Sequence, residues 1–136
     1  MRLPKSERLY SQKQIEALCT SGETLFHFPF KIFFSVAAPK AGKPVCQVAV
    51  NVPKRQFKRA VKRNLLKRRI REAFRHNKQS LYQILEDQNK AVCVFFHYVS
   101  PDLSHYAFLE TNLREALAKL ADRVTQSVHL PADPAD

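Results

Sequence analysis

Lys54, Arg55, Lys58, Arg59, Lys62, Arg63, Lys67, Arg68, Arg69, Arg71 and Arg75 crowd into one stretch, with Glu72 as the only acid among them. That stretch carries +10 of a formal net charge of +11. The rest of the 136-residue chain holds the other 12 of 23 basic side chains and 11 of 12 acids, and is almost neutral. Guanidinium and ammonium groups bind phosphate oxygens. Charge this localised points to a polyanion, and nucleic acid is the first candidate.

The spacing says how these groups are presented. With Ala60 at zero and about 100° per residue, Leu66, Ile70, Ala73 and Phe74 fall on one side of a helix predicted over 59–76 and can pack on a sheet. Arg63, Asn64, Lys67, Arg68, Arg71 and Arg75 form an adjacent stripe, with 63, 67, 71 and 75 four residues apart. Cations at that spacing repel one another, and Lys58 and Arg59 oppose the dipole at the helix start. Phosphates along the stripe would relieve both. Charge alone does not separate DNA from RNA. Asn64 within the stripe and the Phe-rich strands nearby favour RNA or single strands, although core packing is the ordinary role for most of those rings.

Nothing in the sequence assembles an active site. His27, His76, His97, His105 and His129 lack metal-ligand spacing, and no group of acids suggests a two-metal nuclease. His97 in a strand reads as a satisfied core residue, and Asp102 as a helix-start residue. Cys19, Cys46 and Cys93 are odd in number and far apart, which suits small core residues in a reducing cytoplasm. No apolar run approaches the roughly 20 residues of a membrane helix, and the N-terminus has no signal-peptide pattern.

The elements that position the basic stretch follow from local signals. Ser11-Gln12-Lys13-Gln14 has the form of a capping box opening a helix over about 12–20, which Gly22 stops. A short strand or arm from Leu25 precedes Pro29, and a strand runs from Phe30 to Val36. Pro39 to Pro44 is a turn. Val45 to Val52 is a strand with Val48, Val50 and Val52 on one face. Positions 77–90 are ambiguous, and Ala91 to Val99 is a strand. Ser100-Pro101 suits a helix N-cap and first position, with Tyr106, Leu109, Leu113, Leu117 and Leu120 on one face. The expectation is a single α+β domain over 1–121 with one main sheet, and a disordered tail over 122–136.

Val52-Pro53-Lys54-Arg55, Ala60-Val61-Lys62-Arg63-Asn64 and Lys67-Arg68-Arg69-Ile70-Arg71-Glu72-Ala73-Phe74-Arg75 closely resemble the protein subunits of bacterial ribonuclease P. Weaker agreement extends from Arg8-Leu9 through Gly22 to about Leu120. The resemblance implies an α-β sandwich, similar to one ribosomal-protein domain, with a left-handed βαβ crossover. It implies a monomer bound to one catalytic RNA, which with its own Mg²⁺ frees the 5′ leader of precursor tRNA; the protein itself holds no cofactor. It assigns catalytic-RNA contact to the basic motif at Arg63, Asn64, Lys67, Arg68 and Arg71. It assigns the leader to a cleft between first helix and sheet, with the sheet aromatic on Phe33 and the strand-end lysine on Lys54. The chain departs from the family pattern with Leu65 after Arg63-Asn64, with a longer loop carrying Phe57, and with Ile15 and Cys19 where two phenylalanines usually stand. A ribosome-associated structural protein and a duplex-DNA architectural protein are the competing readings; the second would want a wedge or a symmetric dimer.

Overall fold

Strand alternation sets the architecture. A computed structural model describes residues 4–127. The sheet has four strands, β1 (Glu23–His27), β2 (Phe30–Ala37), β3 (Cys46–Asn51) and β4 (Ala91–Tyr98), in the order β1-β2-β4-β3. In β4 every second residue, Val92, Val94, Phe96 and Tyr98, is fully buried. Phe30, Ile32 and Phe34 of β2 and Cys46 and Val48 of β3 share that face through their register with β4. The intervening residues, Phe33, Phe95 and Ala49, line the other face. One sheet thus serves two layers, as period-two side-chain direction requires.

The helices α1 (Gln12–Ser21), α2 (Ala60–Asn77), α3 (Gln79–Gln88) and α4 (Tyr106–Gln126) complete the sandwich. Helices α2, α3 and α4 cover the main core face. Leu66, Ile70, Ala73 and Phe74 are the buried side of α2, as the helical spacing predicts. Helix α1 contributes Leu18 to a smaller cluster with Leu9 and Ala49 on the opposite face, backed by Ile15, Phe33, Cys93 and Phe95. Strands β3 and β4 are parallel and are joined by a crossover through α2 and α3. The N-terminal segment flanks β3: Leu9 N–H donates to the Val48 carbonyl at 2.8 Å.

Several local expectations hold. Ser11 caps α1 by accepting from the Gln14 N–H at 3.3 Å, and Gly22 ends the helix. Others are corrected. Positions 77–90 contain a separate helix, α3, which ends at Asn89 in the left-handed conformation (φ 54°). Ser100-Pro101 does not open α4. The Ser100 hydroxyl accepts from the Asp102 N–H at 3.1 Å, a local turn competing with helix. The Tyr98 hydroxyl then ties that loop through the Asp102 carbonyl and Ser104. Helix α4 starts only at Tyr106, so Asp102 is a loop residue. The ordered domain also runs past 121. Val124 is fully buried, and Lys90 Nζ donates to the Val124 and Ser127 carbonyls at 2.7 Å each. Of the expected tail, positions 128–136 lie outside the described residues. Cys46 is buried, but Cys19 is exposed and Cys93 half-buried, so only one cysteine is a core residue; all three are free thiols.

Candidate nucleic-acid interface

The basic stretch begins as a tight turn after β3. Gln56 and Phe57 N–H groups both donate to the Pro53 carbonyl, at 3.3 and 3.2 Å. Phe57 is buried against Tyr98, their rings 6.1 Å apart, and anchors the turn in the core. Lys54, Arg55, Lys58, Arg59 and Lys62 stay exposed around it. The start of α2 has no side-chain cap, so its free N–H groups add positive potential to theirs.

Along α2 the stripe divides by partner. Arg63 turns back and donates to the Phe57 and Lys58 carbonyls at 2.7 and 2.9 Å, which holds the turn onto the helix. Arg69 reaches the Ser104 carbonyl at 2.7 Å and fixes the loop before α4. Arg75 forks onto Glu72, at 3.1 and 2.9 Å, and also meets His76. Those hydrogen bonds pull the Glu72 carboxyl down to about 2 against the opposing effect of burial, with the Arg75 and His76 charges adding to them. Asn64 and Arg68 remain exposed. Partial burial, then Arg71 and Arg63 on either side, lower the Lys67 ammonium's affinity for its proton. Lys67 thus keeps its cationic neighbours, while the ends of the stripe find carbonyls and one carboxylate.

Arg71 stands where the stripe meets a second surface. It lines a cleft of about 480 Å³ between α1 and the sheet, together with Arg8, Tyr10, Ile15, Cys19, Asn51 and Phe95. Ile15 and Cys19 are thus where the resemblance places the helix wall of a cleft. Phe33 is not on its surface. It sits half-buried beside Phe95, ring centroids 5.9 Å apart, with Lys31 Nζ 5.3 Å above its ring. Lys54 lies in the exposed turn beyond the strand end, outside the lining. The aromatic wall is the half-buried Phe95, with exposed Tyr10 at the rim. Sequence reading missed Phe95 because it lies in an apolar run; its neighbour Phe96 takes the core side, and alternation along β4 is the signal that separates them. It missed Arg8 and Tyr10 because they precede the first helix.

The arrangement presents cations and ring faces to a polyanion. His97 is held by Asn51 at 3.0 Å. Burial, then Lys31 and Arg55, lower its proton affinity. Among the described residues no group of three or more His, Cys, Asp or Glu could hold a metal ion. No helix among them is long and apolar enough to cross a membrane.

The ribonuclease P family pattern matches residues 3–123. The ribonuclease P protein component of Porphyromonas gingivalis is 31% identical over 125 residues, covering 92% of this chain and 90% of that one. That of Chlorobium phaeobacteroides is 37% identical over 87 residues, 62% of this chain and 60% of that one. The Staphylococcus aureus RNase P protein superposes with a TM-score of 0.65 at 19% identity, over 86% of this chain and 96% of that chain. The Thermotoga maritima protein gives 0.64 at 20% identity, over 83% and 96%. With the family pattern spanning nearly every described residue, the chain belongs to the ribonuclease P protein family.

Proposed function

We propose that this protein is the RNA-binding subunit of a ribonucleoprotein endonuclease that removes the 5′ leader from precursor tRNA. The observation that carries the reading is the junction of two surfaces. An open cationic face on α2 (Lys62, Asn64, Lys67, Arg68) borders a half-apolar cleft, and Arg71 belongs to both. The face suits the phosphates of a folded RNA. The cleft has an aromatic wall and two guanidinium groups in its lining, which suits an unpaired strand whose bases can stack.

On this reading the catalytic RNA binds Mg²⁺ and hydrolyses the phosphodiester. Lys54, Arg55, Lys58, Arg59, Lys62, Asn64, Lys67 and Arg68 contact that RNA, while Arg63 and Arg75 shape the surface through their intramolecular partners. Ile15, Cys19 and Phe95 receive the leader; Phe33 supports the Phe95 ring from beside it. The assembly is one protein with one RNA in the cytoplasm.

Reconstitution tests it. The protein with its catalytic RNA should cleave precursor tRNA at lower Mg²⁺ than the RNA alone, because added cations offset phosphate repulsion. It should favour leader-bearing over mature tRNA. The protein alone should not cut. Cleavage without RNA, or RNA activity unchanged by the protein, would sink the proposal. Tight binding to ribosomal RNA without any effect on precursor tRNA would favour the ribosome-associated alternative.

A further inference from the structure

Two guanidinium groups from distant parts of the chain, Arg8 and Arg71, line the same cleft. Arg71 loses proton affinity first to burial and then to the charge of Arg8, so the two groups feel each other. Among the described residues neither takes part in an ion pair. Glu16 is the one carboxylate on the cleft wall, and it is exposed on α1.

Arg8 is also built into place. Its backbone bridges Val48 in parallel, and Leu9 N–H holds the Val48 carbonyl at 2.8 Å. Glu7, one residue earlier, is fixed by Lys78 at 2.7 Å and by the Tyr82 hydroxyl. Yet Arg8 Nε is buried with no hydrogen-bond partner. Three other part-buried guanidiniums, those of Arg63, Arg69 and Arg75, all have acceptors. A buried N–H donor without an acceptor bears a desolvation cost, which an anion drawing the guanidinium toward it would relieve.

We propose that Arg8 and Arg71 form a phosphate notch that grips one phosphodiester of the single-stranded RNA lying in the cleft. This rests on the reading that the cleft receives the leader, and it moves Arg71 from the catalytic-RNA face to the substrate. Guanidinium groups match phosphate oxygens with paired, charge-assisted hydrogen bonds. Phe95 on the wall and Tyr10 at the rim are placed to contact the bases on either side of the gripped linkage. The notch therefore sets the register of the strand without reading its sequence.

The test uses the full chain reconstituted with catalytic RNA and precursor tRNA whose leader linkages are made neutral, one at a time, by methylphosphonate. With the unaltered protein, one linkage should stand out, its neutralisation weakening precursor binding roughly tenfold. Arg8→Gln should weaken all-phosphate precursor by a similar factor, lose sensitivity at that one linkage, and leave mature tRNA binding unchanged. Arg8→Lys, which keeps the charge but not the fork, should fall between. The proposal is overturned if the unaltered protein responds alike at every linkage, or if folded Arg8→Gln keeps the same sensitive linkage. The linkage scan stands on its own should Arg8→Gln fail to fold. If the unaltered protein does not distinguish precursor from mature tRNA at all, the leader reading fails and the notch falls with it.

Discussion

Arg63 and Arg68 lie on one helix, in one motif, yet their surroundings assign them different work. Arg63 spends its guanidinium on the Phe57 and Lys58 carbonyls. Arg63→Ala should therefore cost about 1–3 kcal/mol of stability, seen as a lower midpoint in thermal unfolding, and should weaken RNA binding by loosening the turn. Arg68 is exposed. Arg68→Ala should leave stability within about 0.5 kcal/mol and flatten the log-affinity against log-salt slope by about 0.7–0.9. Glu72 is the counterpart among the acids. Its carboxyl is pulled from an ordinary 4.5 to about 2. A depressed carboxyl stabilises the fold above its unfolded value and loses that contribution as pH falls through the folded one. Glu72→Gln should thus be slightly less stable than the parent at pH 7, by under about 1 kcal/mol for a surface pair. The gap should close between pH 4.5 and 2. The same change frees Arg75 and should tighten catalytic-RNA binding at low salt. Unchanged binding would show that Arg75 lies off the RNA.

At the scale of elements, α1 is held onto the sheet by a close approach at its end. A Cβ on Gly22 would lie 2.6 Å from the Leu18 carbonyl oxygen and 3.0 Å from that of Phe34. Both are backbone atoms, so Gly22→Ala must shift the helix end against β2. It should cost about 1–3 kcal/mol and reshape the cleft, which a melt and a precursor-binding titration would both register. The far end of the chain gives a second case. Cutting after Ala121 removes Val124 from the core and the two carbonyls that Lys90 engages. Burial of a valine alone is worth about 1.5–3 kcal/mol, so this truncation should lower the unfolding midpoint by several degrees; an unchanged midpoint would show that the last turn of α4 contributes nothing. Helix α1 was legible because its cap and stop are local chemistry. The break between α2 and α3 was not. Lys78 keeps helical dihedrals (φ −80°, ψ −16°) with no Gly or Pro to mark it. Nor was the start of α4 legible, because a Ser-Pro pair opens a turn as readily as a helix.

At the scale of the whole molecule, the sheet separates two jobs. One face builds the core under α2 and α4, and the other, with α1, makes the cleft. The cationic surface could be read from the sequence because its residues are contiguous and the periodicity places them together. The cleft could not be read from spacing, and the resemblance placed only Ile15 and Cys19 on its wall, because its walls come from the N-terminal segment, α1, β3, β4 and α2 and meet only in three dimensions. If the face and the cleft take the two roles proposed for them, those roles should be energetically separable. Replacing Lys58, Lys62 and Arg68 with Ala, all exposed and clear of the cleft lining, should weaken catalytic-RNA binding and reduce the salt slope by about 2–3. The preference for precursor over mature tRNA should survive. Arg8→Gln should do the reverse, lowering that preference while leaving the catalytic-RNA slope alone. Combined, the two sets should add within about 0.5 kcal/mol, as distant sites without shared partners do. Strong non-additivity in a folded variant would mean that face and cleft grip one continuous RNA path, with Arg71 as the link between them.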